Sequence, residues 1–329
     1  MFTRQLLPSF RRVGIVFLIS LLTLGCAGAI YQWVESHLDR RINVAPGQLV
    51  DVGGYRIHIY CLGGGSPTVV LDSGLSDSSL SWYRVQPEIA KFTRVCAYDR
   101  AGLGWSDPSP KPRNSKVFAE ELHTLLHNAR VPAPYVLVGH SMGGFDALIY
   151  ARLYSSEVAG MVLVDSPHPD FANRLPELRR GLADWRRHLQ WQQLAMPFGI
   201  PRLMRWCGNG QQELQSKLRT IECNESRLRE SIAECFSMWG ESASQARSTV
   251  TLGDMPLVVL SEDPAKNVKE FLPVFEWGQQ DLMHLSSNSS RITAIGSGHQ
   301  IQRERPDMVV AAVRRIVEER KMVKANSSH

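Results

Sequence analysis

The chain has 329 residues, 43% hydrophobic and 21% charged, the balance of a globular protein able to bury a sizeable core in one large domain or two ordinary ones. Its formal charge of +5 is concentrated at the start: residues 1–34 hold Arg4, Arg11 and Arg12 and no acid, leaving +2 for the rest, which argues against a nucleic-acid partner. No internal repeat or long low-complexity tract is present, and no CxxC or Cys/His spacing suggests zinc.

From Val13 to Val34 no residue is charged, and these 22 residues suffice to cross a bilayer as a helix. Tyr31 and Trp33 stand at one end, where interface aromatics belong. Arginines precede the run, so a single-pass anchor is expected with its N-terminus cytoplasmic and everything after it extracytoplasmic. A cleaved signal peptide is the main rival, although this run is longer than a usual signal core. Leu24-Gly25-Cys26 is a loose match to a lipoprotein cleavage site.

Residues 1–34 are thus read as anchor or signal segment and 35–47 as a polar linker ending in Pro46-Gly47. Two β-runs follow, Leu49–Val52 and Tyr55–Tyr60, joined by Gly53-Gly54, a strong hairpin signal. Thr68–Leu71 is a continuous apolar run of the kind buried parallel strands show, and it ends in Asp72-Ser73-Gly74-Leu75. Residues 80–91 read as a helix, Thr93–Tyr98 as a strand, and Asp99–Ser106 as a glycine-rich loop. Residues 115–129 form an amphipathic helix with Phe118, Leu122, Leu125 and Leu126 on one side.

Next come an apolar strand, Tyr135–Val138, the segment Gly139-His140-Ser141-Met142-Gly143, and a helical stretch from Gly144 to Ala151. A serine on a sharp turn between strand and helix is a nucleophile elbow, and its flanking glycines permit a strained, close approach that a Cβ would block. Met161–Val164 is a further buried strand, ending at Asp165. Alternating strand and helix over this length implies a mostly parallel sheet covered on both faces. The alternation lapses between His168 and about Val250, where the composition is helical and holds Trp185, Trp191, Trp206 and Trp239. It resumes with Pro256–Leu260, a helix around 270–285, the strand Arg291–Ile295, the loop Gly296-Ser297-Gly298-His299, and a last helix from Pro306 to about Lys321.

These motifs in this order resemble the α/β-hydrolase fold in its serine-hydrolase form with an inserted helical cap, over roughly residues 48–321. The resemblance implies an eight-stranded-type, mostly parallel sheet with helices on both faces. The core is expected over 48–167 and 251–321, a helical cap over 168–250, and a disordered tail over 322–329. In the family the catalytic order is Ser, then Asp or Glu, then His, which maps onto Ser141 and His299. The oxyanion donors implied are the backbone N–H groups of Met142 and Leu75. The acid has three candidates. Asp165 is preferred because it ends the strand before the cap at the carboxyl edge of the sheet, where sites form. Asp263 and then Glu262 follow, in the usual place after strand 257–260, but Ser261-Glu262-Asp263-Pro264 reads as an ordinary capped turn.

A serine hydroxyl needs a neighbouring base to attack a carbonyl, an imidazole accepts and returns that proton near neutral pH, and a carboxylate behind it fixes its tautomer. Related dehalogenases and epoxide hydrolases place an aspartate at the elbow, so Ser141 points instead to acyl chemistry on a small-molecule substrate, with no cofactor or metal implied. Acyl transfer, thioester cleavage and a non-catalytic binding role are the alternatives. His140 is expected to point away from the reaction and shape the pocket, and His58, His123, His127, His168, His188 and His284 to be structural or exposed. The resemblance implies that the second and fourth strands are neighbours, so Cys61 and Cys96 could pair, the alternative being buried free thiols; Cys207, Cys223 and Cys235 leave one over if two bond. Residues 171–206 carry seven arginines against Glu177 and Asp184, interleaved with tryptophans and leucines. This segment is either a solvated face whose tryptophans pack inward or a surface that meets anionic lipid.

Overall fold

The apolar runs fold as parallel strands because, hidden on both faces, they present no polar side to water. The computed structural model describes residues 6–210 and 212–326. Its strands are β1 (Gln48–Asp51), β2 (Arg56–Leu62), β3 (Thr68–Asp72), β4 (Val95–Tyr98), β5 (Tyr135–His140), β6 (Val158–Val164), β7 (Leu257–Glu262) and β8 (Ser289–Ala294). Among the described residues they form one eight-stranded sheet in the order β1-β2-β4-β3-β5-β6-β7-β8. β2 runs antiparallel to both of its neighbours, and the pairs from β4/β3 to β7/β8 are parallel. The α/β-hydrolase fold expected from the motifs is the fold of this chain.

The helices in chain order are α1 (Leu6–Ile42), α2 (Gln86–Ile89), α3 (Ser115–Asn128), α4 (Gly143–Leu153), α5 (Phe171–Arg174), α6 (Pro176–Ala195), α7 (Ile200–Leu203), α8 (Gln215–Glu222), α9 (Glu225–Ser237), α10 (Ala243–Arg247), α11 (Leu272–Met283), α12 (Ile301–Glu304) and α13 (Pro306–Asn326). The segment between β6 and β7 is helical, with no strand among its described residues. Two compact units are distinguished: residues 45–186 with the described residues from Arg229 onward, and the described residues up to Val44 with Arg187–Leu228.

In the first unit the strands sort their side chains by the two-residue pleat. Val70, Leu137, Met161, Leu163 and Val259 face a core shared with Phe118, Leu125, Phe145 and Tyr150 of α3 and α4. Val69, Leu71, Val136, Val138, Val162 and Val258 face a second core with Trp82, Val85, Ile89, Val313 and Ile316. Asn114 caps α3 by accepting from the Val117 N–H at 3.1 Å. The β1–β2 turn is held by Asp51, whose Oδ1 accepts from the Gly53 N–H at 2.9 Å. Cys61 and Cys96, opposite each other across β2 and β4, are disulfide-bonded.

In the second unit α1 packs against residues 187–228, and Cys207 is bonded to Cys223. Cys26 is exposed and Cys235, in the first unit, is a buried thiol.

Three boundaries differ from expectation. α1 continues to Ile42, so the linker expected over 35–47 shrinks to its last residues; Gln32, Asp39 and Asn43 hold the extra turns by side-chain bonds that composition cannot reveal. The helix expected over 80–91 is two short pieces, a 3₁₀ turn Ser79–Trp82 and α2. α13 runs to Asn326, so residues 322–326 of the expected tail are helical, while 327–329, like Arg4, lie outside the described residues.

Trp82 is fully buried and donates its indole N–H to Ser73 Oγ at 3.0 Å. Trp82→Ala should destabilise the fold by about 3–5 kcal/mol in a denaturant titration with unchanged slope. A loss under about 1 kcal/mol would contradict the packing described.

Candidate active site

Strand β5 ends at His140 and α4 begins at Gly143, so the chain turns from strand to helix within two residues. Ser141 holds φ of 50°, a left-handed conformation that L-residues rarely adopt. Its N–H donates to the Val164 carbonyl at 3.0 Å, tying the elbow to the end of β6. The flanking glycines are sterically required. A Cβ on Gly139 would strike the Gly143 carbonyl, and one on Gly143 would come within 2.8 Å of the Asp72 carbonyl oxygen. The GxSxG spacing is therefore what lets the helix start this close to the strand.

Asp165 follows β6, is 3% exposed, and has φ of 45°. Its Oδ2 lies 2.6 Å from His299 Nδ1, and its Oδ1 accepts the Glu262 N–H at 2.9 Å. Its own N–H donates to the Leu260 carbonyl at 2.7 Å, so β7 positions both backbone and side chain. Burial by itself would lower the His299 pKa. The Asp165 hydrogen bond and charge, with Glu262 and Asp77, outweigh burial and hold it above its ordinary value of 6.5.

The other two candidate acids stand nearby but are engaged differently. Glu262 is buried, accepts from Asn267 Nδ2 at 2.6 Å, and is pushed up to about 7 by burial and then by the Asp165 carboxylate. Asp263 accepts from the Gly296 N–H at 2.8 Å and the Ala265 N–H at 2.9 Å, and these bonds hold its carboxyl below the usual range. It caps a turn and steadies the loop that leads to His299. The structure thus brings His299 together with Asp165 and leaves Asp263 in a capping role.

His140 is buried and donates from Nε2 to the His299 carbonyl at 2.9 Å. Burial, then the nearby His299, hold its pKa well below the ordinary imidazole value, so it is neutral. It clasps the loop carrying His299.

A second cluster secures the loop after β3. Arg100 is 3% exposed and donates to the carbonyls of Ser73 at 2.6 Å and Gly74 at 2.7 Å. It also pairs with Asp72 at 2.9 Å and with Glu234 of α9 at 2.8 Å. Glu234 Oε2 in turn accepts the Ser76 N–H at 2.8 Å. Backbone on both sides of Leu75 is therefore pinned by one guanidinium and one carboxylate from the inserted helices. Burial raises Asp72 to about 6 although Arg100 opposes it, and burial beside Asp72 raises Asp146 well above the usual range. Nothing in local spacing pairs Arg100 with Glu234, 134 residues away, so neither stands out in the sequence.

Ser141 and His299 line two adjoining lobes of one cleft. One, of about 280 Å³, includes Asp165, Phe171, Leu178, Glu262 and Phe275; the other, of about 580 Å³, includes Leu75, Leu182, Trp185 and Gln300. Met238, Trp239 and Phe271 border both, so the walls are mainly apolar. Met142, the residue between Ser141 and the first residue of α4, is buried. The remaining histidines lie elsewhere: His58 pairs with Asp99 at 2.8 Å, His123 with Glu157 at 3.1 Å and His168 with Asp281 at 3.0 Å.

A family profile described as alpha/beta hydrolase fold matches residues 67–189. An uncharacterised protein of Schizosaccharomyces pombe (strain 972 / ATCC 24843) is 34% identical over 152 residues, covering 37% of this chain and 28% of that protein. An uncharacterised protein of Bacillus subtilis (strain 168) is 26% identical over 253 residues, covering 76% of this chain and 83% of its own length. A thermophilic esterase from Thermogutta terrifontis shares the fold with a TM-score of 0.60 at 22% identity, covering 83% of this chain and 98% of its own. The profile match over residues 67–189 and the shared architecture show that this chain has the α/β-hydrolase fold.

Glu234→Ala removes one of the buried carboxylates that pair with Arg100 and leaves the Ser76 N–H without its acceptor, and should cost about 3–5 kcal/mol of stability. Glu234→Gln, which keeps an acceptor, should lose clearly less. Equal losses for the two in chemical denaturation would show that the carboxylate is not what secures the loop.

Proposed function

We propose that the protein is a membrane-anchored serine hydrolase that cleaves ester-type acyl bonds. The observation that carries this reading is the 2.6 Å bond between His299 Nδ1 and Asp165 in the cleft that Ser141 lines from its strained turn. With Nδ1 engaged by the carboxylate, the other ring nitrogen, Nε2, is the one available as base.

In this mechanism Ser141 Oγ attacks the acyl carbonyl carbon as its proton passes to His299 Nε2. The carbonyl π electrons move to oxygen, and the Leu75 and Met142 N–H groups stabilise the resulting oxyanion. When the tetrahedral adduct collapses, the bond to the leaving oxygen breaks and that oxygen takes the proton from His299. Water then gives a proton to His299 and adds to the acyl-enzyme carbon. A second collapse frees the carboxylic acid and returns the proton to Ser141. Asp165 stabilises the imidazolium that forms. The apolar cleft walls suit the hydrocarbon part of an acyl substrate.

The anchor reading is supported by α1, whose residues from Phe10 to Leu24 are all exposed although mostly apolar. Arg11 and Arg12 before the apolar run favour a cytoplasmic N-terminus with the hydrolase unit on the other side.

A fluorophosphonate probe should label the wild-type protein and leave Ser141→Ala unlabelled; equal labelling of both would remove Ser141 from the chemistry. Asp165→Asn should lower kcat by about 10⁴ through the wrong tautomer, while Asp263→Asn keeps most of it. The reverse pattern, in variants that still fold, would move the acid role to Asp263.

The pH dependence has a definite sign. The base must be neutral to act, and its pKa is raised, so kcat/KM should climb with pH through an apparent value above 6.5. Glu262→Gln removes one of the charges that raise it and should shift this acid limb to lower pH. An unmoved limb would contradict the assigned electrostatics.

A further inference from the structure

Within the unit formed by α1 and residues 187–228, the contacts change character along the helix. At Gly25 and Gly28 the neighbour is Phe198. A Cβ on Gly25 would sit 3.7 Å from its ring, and one on Gly28 would strike its carbonyl oxygen, so the absent side chain is what admits this close approach. Gly199, with φ of 70°, lies against Tyr31 and the Gly28 carbonyl. From Gln32 onward the contacts are polar. Gln32 Nε2 donates to the Cys223 carbonyl at 3.0 Å, Arg202 pairs with Asp39 at 2.5 Å, and Asn43 Nδ2 donates to Thr220 Oγ1 at 2.9 Å.

The same stretch turns large apolar side chains outward: Trp191 is 70% exposed, Leu194 68%, Leu203 63% and Met204 59%, and Phe198 is 45% exposed despite its contact with α1. Isolated apolar residues on a surface are ordinary, but this many within fourteen residues, joined to an exposed apolar helix, need a partner.

We infer that residues 191–204 form a wedge that enters the outer leaflet of the bilayer through which α1 passes, with phospholipid acyl chains as its partner. This inference rests on the reading of α1 as a membrane span. Depth supplies the argument. The uncharged run Val13–Val34 is about 33 Å long as a helix, close to the roughly 30 Å of a hydrocarbon core. Gly28 lies six residues inside its end and Gly25 nine, about 9 and 14 Å along the axis. A leaflet's hydrocarbon is about 15 Å deep, so a residue packed at that level is within it. Phe198 is such a residue. The polar contacts at Asp39 and Asn43 lie beyond the run, where water and headgroups begin. Exposed Arg40, Arg41 and Arg205 add positive charge that suits lipid phosphates. The arginine- and tryptophan-rich segment is thus neither an ordinary solvated face nor only a headgroup contact, because its apolar side reaches hydrocarbon.

The test is photo-crosslinking of the full-length protein in vesicles of phosphatidylcholine and phosphatidylglycerol. Benzoylphenylalanine is placed singly at Phe198, Leu203, Ile19 and Lys217, and lipid adducts are read by mass spectrometry. The wedge predicts adducts at Phe198, Leu203 and Ile19, at least tenfold above those at Lys217. Adducts at Ile19 with none at Phe198 or Leu203 would overturn the wedge and leave the anchor standing. No adduct at Ile19 either would remove the anchor reading and the wedge with it.

Discussion

A carboxylate buried beside the end of a parallel strand loses its hydration, and N–H groups or cations must replace it. Asp165 meets this constraint with the Glu262 N–H on one oxygen and the His299 imidazole on the other. Two structural consequences follow. The loop after β8 must return over the sheet edge to deliver His299, and the neutral His140 then holds that loop by its carbonyl. β7 must also lie beside β6 in the register that sets the Glu262 N–H against Asp165. The geometry of the cleft is thus largely the geometry of satisfying one acid.

The same logic operates a short way off, with more charge. Asp72, Asp146 and Glu234 gather around a single buried guanidinium, and burial raises two of the three carboxyls. Arg100 uses its remaining donors on the carbonyls before Leu75, while Glu234 receives the N–H just after it. Because Glu234 comes from the inserted helices, the loop proposed to bind the oxyanion is shaped by that insertion as well as by the sheet. A change in the insertion that moved α9 would be felt at the loop around Leu75.

Much of this was legible in the sequence. Ser141 could be read because GxSxG between an apolar run and a helix has a steric cause, seen in how Gly139 and Gly143 meet backbone. His299 could be read from its place after the last strand. The choice of acid stayed open because three carboxylates follow two adjacent strands, and only coordinates show which oxygen reaches the ring. Arg100 with Glu234, and Asn43 with Thr220 at a separation of 177 residues, were invisible because pairing across such distances leaves no local period. The expected linker failed for the same reason: the polar residues of 35–42 look solvated in isolation, yet Asp39 and neighbouring Asn43 are buried against residues far along the chain.

The central claim is that an acyl group is transferred to Ser141 by a base that Asp165 orients. Rapid mixing of the full-length protein with an activated aryl ester, watching release of the phenol, tests this most directly. The account predicts a burst of one phenol per enzyme before the steady state, absent in Ser141→Ala and slowed by several orders of magnitude in Asp165→Asn. Steady release with no burst in any form, and equal rates for wild type and Ser141→Ala, would contradict it.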